Sequence, residues 1–172
     1  IKRGVLGQKS AGGGSTITQQ LAKQLYSGTA HSVMERLLQK PIEWVIAVKL
    51  ERNYTKDEII AMYLNYFDFL HNAVGIKTAA NTYFGKEPKD LSVTESAVLI
   101  GLCKNPSFFN PVRYPERSKE RRNVVLHQMV KAGYLTDADY EKYSKEPLEL
   151  HFHVADHKDG IAVYFRDFLR RY

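Results

Sequence analysis

The 172-residue sequence predicts a mainly α fold, and three observations carry that prediction. Ser/Thr and Glu/Gln residues spaced to close the first turn of a helix occur at Thr16 and Gln19, Thr55 and Glu58, and Ser92 and Glu95. Apolar residues recur with helical period from Met34 through Leu37 and Leu38 to Ile42, Val45, Ile46 and Leu50. The two-residue alternation of a strand is confined to residues 148–154, where Leu148, Leu150, Phe152 and Val154 alternate with Glu149, His151 and His153.

Taken in order, residues 1–11 are basic and glycine-spaced and are expected to finish an element begun upstream. Gly12, Gly13 and Gly14 form a tight turn into a helix that Ser15 or Thr16 caps, with Lys23 two turns along it. Residues 27–32 are a loop. The apolar stripe from Met34 follows, and Pro41 interrupts it; a proline inside a helix costs about 3 kcal/mol, so a break or kink is expected there, with a helix onward to about Arg52. Thr55 and Glu58 open the next helix, whose body, residues 59–70, is almost continuously apolar and aromatic. At least half of it is expected to be buried, with the aromatic end at Tyr66 to Leu70 as the part that would touch lipid.

His71 and Asn72 end that helix, and residues 75–84 form a small-residue helix stopped by Gly85. Ser92 opens a helix through Leu102 that ends before Asn105 and Pro106. From Glu116 to Ala132 runs a long helix with Val125, Leu126, Met129 and Val130 inward, stopped by Gly133. Its Arg117, Lys119, Arg121 and Arg122, interleaved with Glu116 and Glu120, read as a solvated face paired within itself. Thr136 and Asp139 begin a short helix to about Ser144; residues 148–154 are then expected as a strand, and residues 161–169 as a last amphipathic segment.

Length suits one domain with or without appendages, and 44% hydrophobic residues suffice for a core. The net charge of +6 favours anionic partners without choosing among phosphates, nucleic acid and an acidic membrane surface. Cys103 is the sole cysteine, and no zinc-type spacing of histidine and cysteine occurs. No apolar run approaches the roughly 18 residues of a membrane span.

The chemistry concentrates near the N-terminus. A glycine loop running into a capped helix gathers free N–H groups and the positive end of the helix dipole, a seat for phosphate. Gln19, Gln20 and Lys23 stand beside it. On the following helix Lys40 precedes Glu43 by one turn; by spacing alone the two read as an i,i+3 surface pair.

The string Gly13-Gly14-Ser15-Thr16-Ile17-Thr18-Gln19-Gln20 resembles the second signature motif of the peptidoglycan glycosyltransferases, the lipid II polymerases found alone or as the first catalytic module of bifunctional penicillin-binding proteins. Lys40-Pro41-Ile42-Glu43 resembles the family's Arg-Lys-x-x-Glu, with Gln39 where relatives carry arginine. The stretch from Lys56 to Asn65 is similar to the fourth motif and that from Gly75 to Lys86 to the fifth. Asp68-Phe69-Leu70-His71 departs from the tyrosine and glycine that relatives show. The family's first motif, Glu-Asp-x-x-Phe-x-x-His, matches no string here; neither Glu35, Glu51 nor Glu58 fits it. It is expected to precede residue 1.

The resemblance therefore implies a lysozyme-like multi-helix glycosyltransferase domain, incomplete, over residues 1–145, with 146–172 leading toward a transpeptidase domain. It implies Glu43 as a catalytic carboxylate and Ser15, Gln19, Gln20, Lys23, Lys40 and Arg36 as ligands of the substrate pyrophosphate and sugar. His31 is the alternative to Arg36 for the arginine that relatives carry between the two motifs. The implied reaction polymerises lipid II with inversion at the N-acetylmuramic acid anomeric carbon and releases undecaprenyl pyrophosphate; this stretch alone is expected to be inactive. A Mg²⁺ or Mn²⁺ ion bound with the pyrophosphate is compatible with it, and no protein metal site is expected. The implied partners are lipid II, the nascent glycan strand, the membrane surface and the linked transpeptidase domain, with no nucleic acid, at the periplasmic face of a bacterial inner membrane. The rival readings are a lysozyme-like muramidase and a non-catalytic basic helical binding module.

Overall fold

A computed structural model describes residues 16–26 and 32–154, which fall into two compact units divided after Tyr66. The expected elements at residues 1–11 and 161–169, together with Ser15 and His31, lie outside the described residues.

The first unit has three helices: α1 (Ile17–Tyr26), α2 (Val33–Asn53) and α3 (Lys56–Tyr66), with α1 packed against both others. Leu21 and Ala22 of α1, Ala47 and Leu50 of α2, and Ile59 and Tyr63 of α3 make its core. Thr16 opens α1, its hydroxyl accepting the Gln19 N–H at 3.2 Å. Thr55 and Glu58 open α3 with reciprocal bonds, Glu58 N–H to Thr55 Oγ1 at 3.3 Å and Thr55 N–H to Glu58 Oε2 at 2.7 Å.

Two expectations fail on α2. The helix runs unbroken through Pro41. A proline forfeits one i→i−4 bond, here to the Leu37 carbonyl, and 21 residues anchored by the Ser32 cap and by packing on α1 absorb that loss. The apolar stripe also does not face the core as a whole. Met34, Leu37, Leu38, Ile42 and Val45 are exposed, and the buried face is Glu43, Ala47 and Leu50, spaced i, i+4 and i+7.

In the second unit the chain leaves helical geometry at Phe67 rather than after Leu70. The Asp68 carboxylate accepts the Leu70 N–H at 2.8 Å, a local turn that competes with the helix. Leu70, His71 and Asn72 follow in left-handed conformation, with φ of 69°, 53° and 62°, and Asp68 and Val74 form an isolated antiparallel bridge. Phe67 and Phe69 are buried edge to face, 5.0 Å between centroids, so of the aromatic stretch expected at lipid Tyr66 is the ring left exposed.

The rest of this unit is α4 (Ile76–Phe84), a 3₁₀ turn (Pro88–Asp90), α5 (Val93–Leu102), α6 (Pro115–Lys131) and α7 (Asp137–Lys145). Gly85 ends α4 at φ 65°, and full capping boxes open α5 at Ser92 and α7 at Thr136. α5 packs on α4 and α6, and α6 on α7, around Tyr83, Phe84, Val98, Leu99, Leu102 and Leu126.

The charged run of α6 is not wholly a solvated face: Arg122 is 1% exposed. Its Nη2 donates to the carbonyls of Ser144 (3.0 Å) and Glu146 (2.9 Å), so the guanidinium closes the end of α7. Residues 148–154 are extended, yet no strand forms among the described residues. Their N–H groups instead bond helix-end carbonyls of α4, His151 to Tyr83 at 3.0 Å and His153 to Thr82 at 2.8 Å. Such carbonyls have no partner within their own helix, and a segment with two-residue period reaches two of them in succession.

Candidate functional site

The site that the sequence singles out lies in the first unit and is built on α1 and α2. At the start of α1, Thr18, Leu21 and Ala22 are buried and pin the helix to its neighbours. That placement leaves Thr16 and Lys23 exposed and Gln19 and Gln20 half-buried. The glutamine Gln20 is also tied across the fold: the Tyr63 hydroxyl of α3 donates to its Oε1 at 3.1 Å. A bond spanning that much sequence fixes the side chain next to the helix N-terminus, where backbone N–H groups and dipole favour negative charge.

Glu43 is the second component, and its environment differs from what spacing suggests. It sits on the face of α2 shared with Ala47 and Leu50, at 0% exposure, rather than on the surface. Lys40 stands one turn earlier, its Nζ 3.1 Å from Glu43 Oε2, with a side chain 31% exposed. A carboxylate out of water is costly unless paired, and the partly exposed Lys40 supplies the pairing charge. The geometry gives a buried acid joined to a cation that an incoming anion can still reach.

The structure thus brings Lys40 to Glu43, and Gln20 to Tyr63, and leaves Lys23 exposed on α1. Ser15 and the Arg36 side chain fall outside what is described. The other carboxylates weighed for the first motif are exposed: Glu35, Glu51 and Glu58, the last spent on the Thr55 cap. Among the described residues no group of three or more His, Cys, Asp or Glu could hold a metal ion. Among the described residues, too, no helix is long and apolar enough to cross a membrane.

Sequence reasoning missed Tyr63 as a polar participant, having taken it for one of a run of apolar positions. The signal was available, because Tyr63 lies one turn beyond Ile59 on the buried face of α3, and a buried tyrosine seeks a partner for its hydroxyl.

A family model described as Transglycosylase matches residues 1–130. Penicillin-binding protein 1A of Aquifex aeolicus is 40% identical over 161 residues, which are 93% of this chain and 21% of that protein. Penicillin-binding protein 1F of Bacillus subtilis is 41% identical over 151 residues, 88% of this chain and 21% of that protein. The crystal structure of penicillin-binding protein 1A from Haemophilus influenzae superposes with a TM-score of 0.51 at 26% identity, covering 91% of this chain and 19% of that one. The chain spans about a fifth of the length of these relatives. With three quarters of its length under the family model and the Gly-Gly-Ser-Thr-Ile-Thr-Gln-Gln string in its sequence, the chain belongs to the transglycosylase family.

Proposed function

We propose that this chain forms part of a peptidoglycan glycosyltransferase that polymerises lipid II, and that its first unit holds the leaving pyrophosphate end of the donor. The buried Glu43 beside the half-exposed Lys40 is the observation that carries the reading. In the reaction, the 4-hydroxyl of an incoming N-acetylglucosamine attacks C1 of the N-acetylmuramic acid at the reducing end of the chain. Inversion follows, and undecaprenyl pyrophosphate departs. Such a displacement needs a base for the hydroxyl and fixed positive charge where the pyrophosphate develops. Lys40 and Lys23 supply the charge, and the start of α1 with Gln19 and Gln20 supplies amide donors. Glu43 holds Lys40 in place and, since carboxylate and pyrophosphate repel, acts on the leaving group only through that cation or through a proton.

No residue described here is assigned as the base, which in an inverting transfer stands on the opposite face of the sugar. A Mg²⁺ or Mn²⁺ ion would arrive with the pyrophosphate, and no step depends on it. The exposed apolar side of α2, with Leu37, Leu38, Ile42 and Val45, suits the membrane surface from which a lipid-linked substrate comes, and the reading extends to the periplasmic face and a linked transpeptidase domain. The test is polymerisation of labelled lipid II by the full-length gene product and its Glu43→Gln variant. Glycan chains from the first and at least a hundredfold fewer from the second are expected, the range for loss of one preorganised charged group. Equal rates would overturn the role of Glu43, and chain cleavage in place of extension would favour the muramidase reading.

A further inference from the structure

We propose that the second unit carries a separate binding site for a neutral saccharide, in the cavity between the start of α5, Arg122 of α6 and the segment that follows α7. The cavity has a volume of about 300 Å³, at the lower end of the range for small-molecule sites. Phe84 and Val98, both buried, form its floor, and Leu148 walls it.

Its polar groups select the ligand. Arg122 is buried and five-donor, with Nε given to Asn123 Oδ1 at 3.1 Å and Nη2 to the Ser144 and Glu146 carbonyls. Among the described residues no hydrogen bond joins its Nη1 to another residue, so two N–H donors remain for whatever fills the cavity that Arg122 lines. Beside them lie the hydroxyls of Ser92 and Thr94, 3.0 Å apart. Three carboxylates also line the cavity, and they differ. Glu95 is held by Lys86 through both oxygens, at 2.8 and 3.0 Å, Glu146 draws on Arg122 itself, and Glu149 is exposed.

The charges therefore nearly cancel, with Glu149 leaving one negative charge in excess. A phosphate would gain Arg122 and meet that excess, and an ammonium would gain Glu149 and meet the guanidinium. A sugar hydroxyl suffers neither conflict, since it accepts from Nη1 and donates to a carboxylate in the same pose. The C–H face of a pyranose ring fits an apolar floor. Among saccharides, the glycan strand of the function proposed above is the source at hand; that identity rests on that reading, while the site itself does not.

The test is a titration of the 172-residue chain, observed by amide NMR, with three probes: N,N′-diacetylchitobiose (neutral), glucosamine (cation) and inorganic phosphate (anion). Chitobiose is expected to shift the amides of residues 92–98 and 146–149 saturably, and more strongly than either ion. The exposed Glu149→Ala variant should bind it roughly tenfold more weakly, the effect of one hydrogen bond to a charged group. Glu51→Gln, at an exposed carboxylate of the first unit, should leave that affinity at its wild-type value. Preference for phosphate or glucosamine, no saturable shift in those amides, or loss of chitobiose binding in Glu51→Gln would each overturn the proposal. Because the readout needs neither lipid II nor turnover, failure here leaves the glycosyltransferase reading standing, and failure of polymerisation leaves this site standing.

Discussion

Substituting the two halves of the Lys40–Glu43 pair one at a time should give unequal losses of stability. At 3.1 Å the attraction of two unit charges in an effective dielectric of about 20 is roughly 5 kcal/mol, most of which desolvation takes back. What remains visible is the cost of taking one charge away from the other. Lys40→Met takes a cation from a carboxylate whose side chain is 1% exposed. Fully buried cases cost about 3–5 kcal/mol, and the 31% exposure of Lys40 lowers the expectation to about 2 kcal/mol. Glu43→Gln keeps size and an acceptor oxygen, and takes the charge away from an ammonium on a side chain that is 31% exposed. Its cost should be about 0.5 kcal/mol.

At the roughly 2–4 °C per kcal/mol expected for a chain of this length, Lys40→Met should lower the melting temperature by about 4–8 °C and Glu43→Gln by about 1–2 °C. The single tryptophan, Trp44, is next to Glu43 on α2, so its fluorescence follows the unfolding of the unit concerned. A Glu43→Gln loss equal to or larger than that of Lys40→Met would refute the reasoning, because it would mean that the ion pair stabilises the fold on balance rather than serving a carboxylate the fold carries at a cost.

Three further outcomes follow from the second unit and the helix caps. The pKa values of Glu58, Glu95 and Asp139 lie below their ordinary 4.5, 4.5 and 3.8: the Thr55 N–H lowers the first, burial raises the second but is outweighed by Lys86 and Ser92, and the Thr136 hydroxyl lowers the third. Depressed folded-state values give stability that is present above the ordinary pKa and lost as pH falls through the folded one. Denaturation midpoints should therefore drop below those pH values, and the triple variant Glu58→Gln, Glu95→Gln, Asp139→Asn should drop less steeply. Burial pushes the Cys103 thiol up to about 12, so a thiol-reactive disulfide reagent should label it slowly in the native chain and at the ordinary cysteine rate in denaturant. Tyr83→Phe should cost about 1–3 kcal/mol in denaturant titrations, since it removes the 2.6 Å bond from the Tyr83 hydroxyl and leaves the Phe69 carbonyl buried without it.

The helices with capping boxes were legible because a box is a contact between residues three apart, written in the sequence as it is in space. The two-residue turn chemistry of Asp68 is equally local, but the apolar run through Phe67, Phe69 and Leu70 masked it, and the helix was expected to continue four residues too far. What lay beyond local reading was which way a face points. Periodicity marks α2 as two-sided without saying which side is inside, and the apolar residues of its first half turned out exposed. Arg122 was obscured by the charges around it, although Ser118, Arg122 and Leu126, all buried and spaced by four, trace one face of α6. Residues 148–154 have a strand's period because they bond alternate N–H groups, yet their acceptors are the end of a helix, which no pattern within the segment reveals.

The reversed polarity of α2 is the strongest argument that the first unit is shaped by function. An isolated soluble domain gains nothing by burying a glutamate while exposing Leu37, Leu38, Ile42 and Val45 on the same helix, since exchanging the two faces would bury apolar area and hydrate the charge. Local rules broken in a pair, on one element, at the positions where the family motif falls, mark a place where stability yields to chemistry. On the function proposed above, the carboxylate fixes a cation for an anionic ligand, and the apolar side is left for a membrane surface.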